Sequence, residues 1–146
     1  MKKLLIIFCF LFTLSIFAIS CSGDRLSDRD DLDVDFAGLS ATIAEALFHN
    51  VNGNPDEYMG QTIRAVGTYK PFFYPQNRSL YHYVIVVQGD ECCQLFFEFK
   101  IPGDNMDLDN FPKEGVRIEV IGVLSRYVDG GASFVYLADS ELNILR

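Results

Sequence analysis

The sequence predicts a mostly-β fold, a five-stranded barrel preceded by one amphipathic helix. Apolar residues recur at helical spacing within residues 36–51, and alternating strand-like segments fill most of the chain from Ile63 to Ala138. Glycines also stand at equivalent places in two of these segments. The 13 Phe and 7 Tyr supply large side chains for one hydrophobic core. An open α+β sheet with the helix on one face is the alternative architecture.

The amphipathic helix is predicted from Phe36 to Val51. The apolar residues that define its buried face are Leu39, Ile43, Ala46 and Leu47. The segment Asn-Gly-Asn-Pro at 52–55 ends the helix, because asparagine and glycine accept left-handed backbone and proline cannot continue a helix. One further helical turn is predicted from Pro55 to Gly60.

Five strands are predicted from the alternation of apolar and polar residues. Their predicted bounds are Ile63 to Tyr69, Tyr81 to Gln88, Cys92 to Lys100, Val116 to Tyr127, and Ser133 to Ala138. Three residues, 89–91, separate the second and third strands, a length suited to a hairpin. If Gln88 lies opposite Cys92, one face of the hairpin is apolar, and His82 lies opposite Glu98 on the other face.

The glycines that occupy equivalent places are Gly67 and Gly122, in the first and fourth predicted strands. Glycine within a strand allows the sharp bend that a small closed barrel requires. With a helix outside the sheet, this pattern predicts an OB-like barrel over residues 36–146.

The N-terminal residues have the order of a secretion signal. Lys2 and Lys3 precede an apolar run from Leu4 to Phe17, and small residues at 18 and 20 precede Cys21. A cysteine in this place is typical of a bacterial lipoprotein, in which the thiol carries a covalent lipid. A plain transmembrane anchor is the alternative, but the run is shorter than the ~20 apolar residues that a spanning helix needs. The sequence therefore predicts a signal peptide at 1–20 and a protein anchored by its lipid at the extracytoplasmic face of the cell membrane, or at the outer membrane if the organism has one.

The chain is acidic, with a net charge of −8. Removal of Lys2 and Lys3 with the signal leaves 10 basic and 20 acidic residues, and a net charge of −10. Such a surface repels phosphate backbones, so nucleic acid is excluded as an expected partner. Residues 21–35 are rich in aspartate and poor in large apolar residues, and this composition predicts a flexible acidic tether.

Cys92 and Cys93 are adjacent cysteines in a chain that is predicted to be exported. Three interpretations remain open: ordinary packing, a disulfide between the two neighbours, and metal or redox chemistry. Neighbouring side chains of a regular strand point to opposite faces, so the last two require a distorted backbone. Asp90 and Glu91 are the nearest further ligands for a transition metal. Any other cofactor is unknown.

A second candidate site is a ligand or partner surface. Its predicted residues are His82 and Glu98 on the hairpin, and Tyr69, Phe72, Phe73 and Tyr74 in an aromatic segment that is placed in a loop. Packing of this segment over one end of the barrel is the alternative. The sequence contains no nucleophile elbow, zinc-protease helix or phosphate-binding glycine loop.

The chain also resembles a family of uncharacterised exported lipoproteins with an OB-like fold, which is found mainly in anaerobic and Gram-positive bacteria. The resemblance spans about Asn54 to Leu142 and rests on Tyr58-Met59-Gly60, Ile63 to Gly67, Tyr81 to Ile85, Cys92-Cys93, Phe97-Glu98-Phe99, Phe111-Pro112 with Gly115, and Gly122 with Tyr127. Its most specific part is the Tyr-His-Tyr strand followed by paired cysteines. The resemblance implies a fold and a location, and no activity.

The expected function is that of a membrane-anchored, non-enzymatic binding module for a small ligand, an ion or an envelope protein. A barrel supplies a rigid scaffold for such a surface, and no catalytic constellation stands out. The alternative is a thiol-dependent metal-binding or redox protein centred on Cys92 and Cys93. A structural subunit of a membrane complex is a third possibility.

Overall fold

The structure, a computed structural model, describes residues 31–87, 94–103 and 111–146. These residues belong to one compact unit, Asp31–Arg146. The predicted signal peptide and Cys21, the predicted lipidation site, lie outside the described residues. The elements in chain order are β1 (Val34–Asp35), α1 (Ala41–Gly53), α2 (Pro55–Tyr58), β2 (Thr62–Tyr74), β3 (Ser79–Val87), β4 (Leu95–Phe99), β5 (Arg117–Asp129) and β6 (Ala132–Ile144).

The strands close into a barrel because β2 pairs along both of its edges. Residues 62–68 of β2 pair antiparallel with β5, and residues 68–74 pair antiparallel with β3. The circuit β2-β3-β4-β6-β5 then returns to β2, with β4 and β6 parallel to each other. The predicted five-stranded OB-like barrel is confirmed, and the alternative of an open sheet is wrong.

Gly67 lies where β2 passes from one partner strand to the other. A β-carbon built on Gly67 would lie 2.6 Å from the carbonyl carbon of Ile85 on β3, and closer still to its oxygen. Gly122 lies at a β-bulge between β5 and β6, where a β-carbon would lie 2.9 Å from the carbonyl oxygen of Ala138. Glycine is therefore required at both places by the close approach of neighbouring backbone.

The helix begins later than the sequence predicts. Helix α1 starts at Ala41, and Gly38 in the preceding segment has a positive φ of 71°, which a regular helix excludes. The helix buries Ala44 and Val51 against the barrel, while Ile43, predicted on the buried face, is 56% exposed. Phe48 of the helix packs edge-on against Phe97 of β4, with ring centroids 5.0 Å apart.

Part of the predicted tether belongs to the barrel unit instead. Val34 and Asp35 form β1, which pairs parallel with β2, and Val34 is buried in the core. Asp33 joins them, because the backbone N–H of Thr62 donates a hydrogen bond to its carboxylate at 2.8 Å. Burial of Val34 and the hydrogen bond to Asp33 therefore hold this segment against the sheet.

The hairpin register differs from the prediction by one residue. Tyr83 lies opposite Glu98, and His82 lies opposite Phe99. A bulge between Ile85 and Val87 inserts the extra residue. Since side chains alternate along a strand, the shift reverses both faces of β4 relative to β3, and the predicted opposition of His82 and Glu98 is wrong.

The aromatic segment that was predicted as a loop is the second half of β2. Pairing with β3 continues from Thr68 to Tyr74 and passes through Pro71. Proline is tolerated there because β5 pairs with β2 only as far as Thr68, so this part of β2 has an edge where no N–H is needed. Among the described residues, no helix is long and apolar enough to cross a membrane.

Candidate binding groove

Two residues of the predicted ligand surface lie inside the barrel. Tyr69 and His82 are 1% and 3% exposed, and a hydrogen bond of 2.7 Å joins the Tyr69 hydroxyl to His82 Nδ1. The imidazole ring also stacks on Phe111, with centroids 3.7 Å apart. Both side chains are therefore part of the core, and the prediction that they form a ligand surface is wrong.

The other predicted surface residues divide between two locations. Phe72, Tyr74 and Glu98 line a groove of about 460 Å³ on the outside of the barrel. Phe73 is 52% exposed and does not line it, since its side chain alternates with those of its two neighbours on β2. The described residues that line it are Phe72, Tyr74, Tyr81, Tyr83, Phe96, Glu98, Tyr127, Asp129, Phe134 and Val135.

Aromatic rings form the walls of this groove, which we call the aromatic groove. On one side Tyr83 and Phe96 pack edge to face at 5.0 Å, and on the other side Tyr127 and Phe134 stack at 5.4 Å. Phe96 and Phe134 remain 49% and 44% exposed. Open aromatic surface of this kind is uncommon on a soluble domain unless it binds something.

Glu98 lies between the two ring pairs and is 7% exposed. The hydroxyl of Tyr127 donates a hydrogen bond to its Oε2 at 2.8 Å. The other oxygen, Oε1, is buried and accepts no hydrogen bond from any described residue. Lys100 Nζ lies 3.5 Å from Oε1, which is a long ion pair from a side chain that is 49% exposed. A buried carboxylate oxygen with so little compensation has an unused capacity to accept hydrogen bonds.

The ammonium group of Lys100 also contacts two aromatic rings. Its nitrogen lies 4.4 Å from the ring centroid of Tyr127 and 4.4 Å from that of Tyr136. These distances are within the range of cation–π attraction. Glu98 and its neighbouring rings therefore already contact one organic ammonium group, that of Lys100.

The two tyrosines next to Glu98 are held in their protonated form. Burial raises the pKa of Tyr83 to about 12, and the negative charge of Glu98 acts in the same direction. Burial also raises the pKa of Tyr127, supported by its hydrogen bond to Glu98. The Tyr127 hydroxyl gives its single proton to Glu98 Oε2, while the Tyr83 hydroxyl is a second protonated donor on the strand opposite the carboxylate.

A second concavity of about 270 Å³ continues the aromatic groove across the barrel. Phe72, Tyr83 and Phe96 line both concavities. Lys70 lines only the second one and is its single basic residue. The exposed face of β2, β3 and β4 thus offers one extended apolar track with a carboxylate near one end.

The predicted metal or redox site lies outside the described residues. It consists of Cys92, Cys93, Asp90 and Glu91. Within residues 31–87, 94–103 and 111–146, no group of three or more His, Cys, Asp or Glu side chains is arranged to hold a metal ion.

Several groove residues were not predicted, although the sequence carries a signal for them. Tyr81, Tyr83 and Phe96 alternate along β3 and β4, and the correct register would have placed them on the outer face with Glu98. Tyr127 and Phe134 are opposite each other on β5 and β6. The parallel pairing of β6 with β4, which is distant in sequence, brings this second pair to β4.

No protein-family model matches the chain, and no curated protein is significantly similar to it. The geometry of the groove is therefore the basis for the proposed function.

Proposed function

We propose that the chain is an exported, lipid-anchored binding module that captures its ligand in the aromatic groove. The observation that carries the proposal is the open groove of aromatic rings around the buried carboxylate of Glu98. OB folds bind their ligands on the corresponding outer face, between the strands and the loops at its edges. The ligand is a small molecule, an ion or a segment of an envelope protein.

Location and anchoring are supported by the N-terminal sequence. The signal-like segment 1–20 ends directly before Cys21, and lipidation of that thiol would hold the barrel at the membrane without any further contact. In bacteria that express the chain, the wild type is expected to lose residues 1–20 and to carry the mass of a lipid on Cys21. Cys21→Ser should carry no lipid and, because lipidation precedes cleavage, should keep residues 1–20. Intact mass of the membrane-bound chain measures both, and a wild type without lipid mass would contradict lipid anchoring.

The acidic character of the chain supports a ligand other than nucleic acid. Among the described residues, the groove lining contains two carboxylates, Glu98 and Asp129, and no lysine or arginine. The net charge of −8 acts in the same direction. A phosphate backbone would be repelled by both.

The proposal is tested with two phenylalanines that are equally exposed. Phe96 lines the groove and is 49% exposed, whereas Phe73 is 52% exposed and lies outside it. The full chain is held in a non-ionic polyoxyethylene detergent, which presents no charge and no sugar. Three probes are titrated by calorimetry and ligand-observed NMR: 3-phenylpropylamine, 3-phenylpropan-1-ol and chitotetraose, a neutral oligosaccharide.

At least one probe is expected to bind, and Phe96→Ala is expected to weaken it about tenfold, which corresponds to ~1.4 kcal/mol. Phe73→Ala should leave the affinity unchanged. If all three probes fail to bind, or if both variants have the same effect, the groove is not the binding site and the proposal is wrong.

A further inference from the structure

We infer that the aromatic groove recognises a small organic ammonium ion, with its charged nitrogen held beside the carboxylate of Glu98. The inference rests on the proposed function, because it names the chemistry of the ligand that the groove would hold. Three features support it: the weak compensation of the Glu98 carboxylate, the charge of the lining and the position of Lys100.

The first feature is the Glu98 carboxylate. Glu98 is more than nine-tenths buried, its Oε1 accepts no hydrogen bond from the described residues, and the Lys100 ammonium compensates that oxygen only from 3.5 Å. A ligand cation beside the carboxylate would add to this partial compensation and offset part of the water that the carboxylate has lost.

The second feature is the charge of the groove. Among the described lining residues, Glu98 and Asp129 are the carboxylates, and no basic residue offsets them. Lys100 lies outside the lining and is half exposed, so it balances Glu98 only in part. A cation that enters the groove is attracted by both carboxylates, whereas an anion is repelled.

The third feature is the position of Lys100 beside Glu98. Its ammonium group lies against the rings of Tyr127 and Tyr136 and 3.5 Å from Glu98 Oε1. On the groove side, Tyr83, Phe96 and Phe134 surround the same carboxylate with further rings. A second ammonium approaching from the groove would meet the same combination of carboxylate and aromatic rings, which is the combination used to recognise amines.

The body of the ligand would lie along the apolar track. The groove and the adjoining concavity share Phe72, Tyr83 and Phe96, so an apolar chain or ring attached to the ammonium has rings to contact beyond Glu98. The expected ligand is therefore a cation with an apolar portion. A small hydrated inorganic cation would leave these rings uncovered.

The test compares probes that share a phenyl ring and a three-carbon chain and whose end groups differ in charge. The full chain in polyoxyethylene detergent is titrated with 3-phenylpropylamine, 3-phenylpropan-1-ol and 3-phenylpropionate at pH 7 and low salt. The amine is expected to bind at least tenfold more tightly than the alcohol, and the carboxylate is expected not to bind. Glu98→Gln keeps the shape of the side chain and should reduce the preference for the amine to less than threefold.

Two further variants test whether the effect is specific to Glu98 or follows from removing any carboxylate. Glu141→Gln removes an exposed carboxylate of β6 that does not line the groove, and it should keep the full preference for the amine. Asp129→Asn removes the exposed carboxylate at the groove margin and should weaken the amine about two- to threefold without affecting the alcohol. Far-UV circular dichroism compares the fold of each variant with that of the wild type.

The outcomes separate this inference from the proposed function. If amine and alcohol bind equally and Phe96→Ala weakens both, the groove remains a binding site, but the inference that it recognises an ammonium ion is wrong. Tighter binding of chitotetraose than of the amine would also overturn it, in favour of a neutral sugar. Amine binding that Phe96→Ala does not affect would overturn the proposed function as well.

Discussion

The replacement Gly67→Ala tests how the barrel closes. The added β-carbon would lie 2.6 Å from the carbonyl carbon of Ile85 and 3.1 Å from the nitrogen of Val86. Carbon atoms in contact pack at ~3.5–4.0 Å, so β2 and β3 would have to separate by about 1 Å. The opposing atoms belong to the backbone of a paired strand, and no side-chain rotation can remove the clash.

The expected loss of stability follows from this displacement. Overpacking of a well-packed interior costs ~1–3 kcal/mol, and a clash between backbones belongs at the upper end, about 3 kcal/mol. With a slope of ~1.5 kcal/mol per M in urea, the unfolding midpoint should fall by ~2 M. Urea titration of the full chain in detergent, followed by far-UV circular dichroism, measures this change.

Gly53→Ala is the matched control. Gly53 is the last residue of α1, and a β-carbon built there has nothing within 4 Å. Alanine should therefore leave the stability unchanged or raise it by up to ~1 kcal/mol, because it restricts the unfolded chain. If Gly67→Ala stays within ~0.5 kcal/mol of the wild type, the close approach of β2 and β3 does not constrain the barrel, and the reasoning is refuted.

Two other predictions concern the groove and the core. Tyr83 should ionise near pH 12, above the ordinary tyrosine value of about 10, so its contribution to stability should be present in full below about pH 10 and be lost as the pH rises through 12. Because the chain has 7 Tyr, the titration of the absorbance at 295 nm is measured as the difference between the wild type and Tyr83→Phe. The same difference measured in Glu98→Gln should have a lower midpoint; an unchanged midpoint would contradict the contribution of that charge. Phe97→Ala should destabilise the chain by ~3–5 kcal/mol in the same urea assay, because its 1%-exposed ring joins α1 to the barrel through Phe48. A loss below ~1 kcal/mol would show that the helix packs independently of this ring.

Local patterns were sufficient for the elements but insufficient for their pairing. The strands at 62–74 and 117–129 were recognised from alternation, with bounds that differ by a few residues at most of their ends. The hairpin register was wrong because Val87 pairs with Leu95, two residues from its predicted partner, and the bulge after Ile85 reduces that offset to one for the rest of β3 and β4. The bulge has no sequence signature. That single residue decided whether His82 or Tyr83 shares a face with Glu98.

The sequence by itself determined the fold class, the special role of Gly67 and the acidic charge, because strand alternation, glycine placement and composition are properties of short segments. Only the tertiary structure decided which aromatic residues form a site. Tyr83 reaches Glu98 from the neighbouring β3 and Phe96 lies two residues before it on β4, while Tyr127 and Phe134 reach it from β5 and β6 because β6 pairs with both β4 and β5. Residues that are 29 positions apart, such as Glu98 and Tyr127, meet through strand order and register, which depend on the packing of the whole chain.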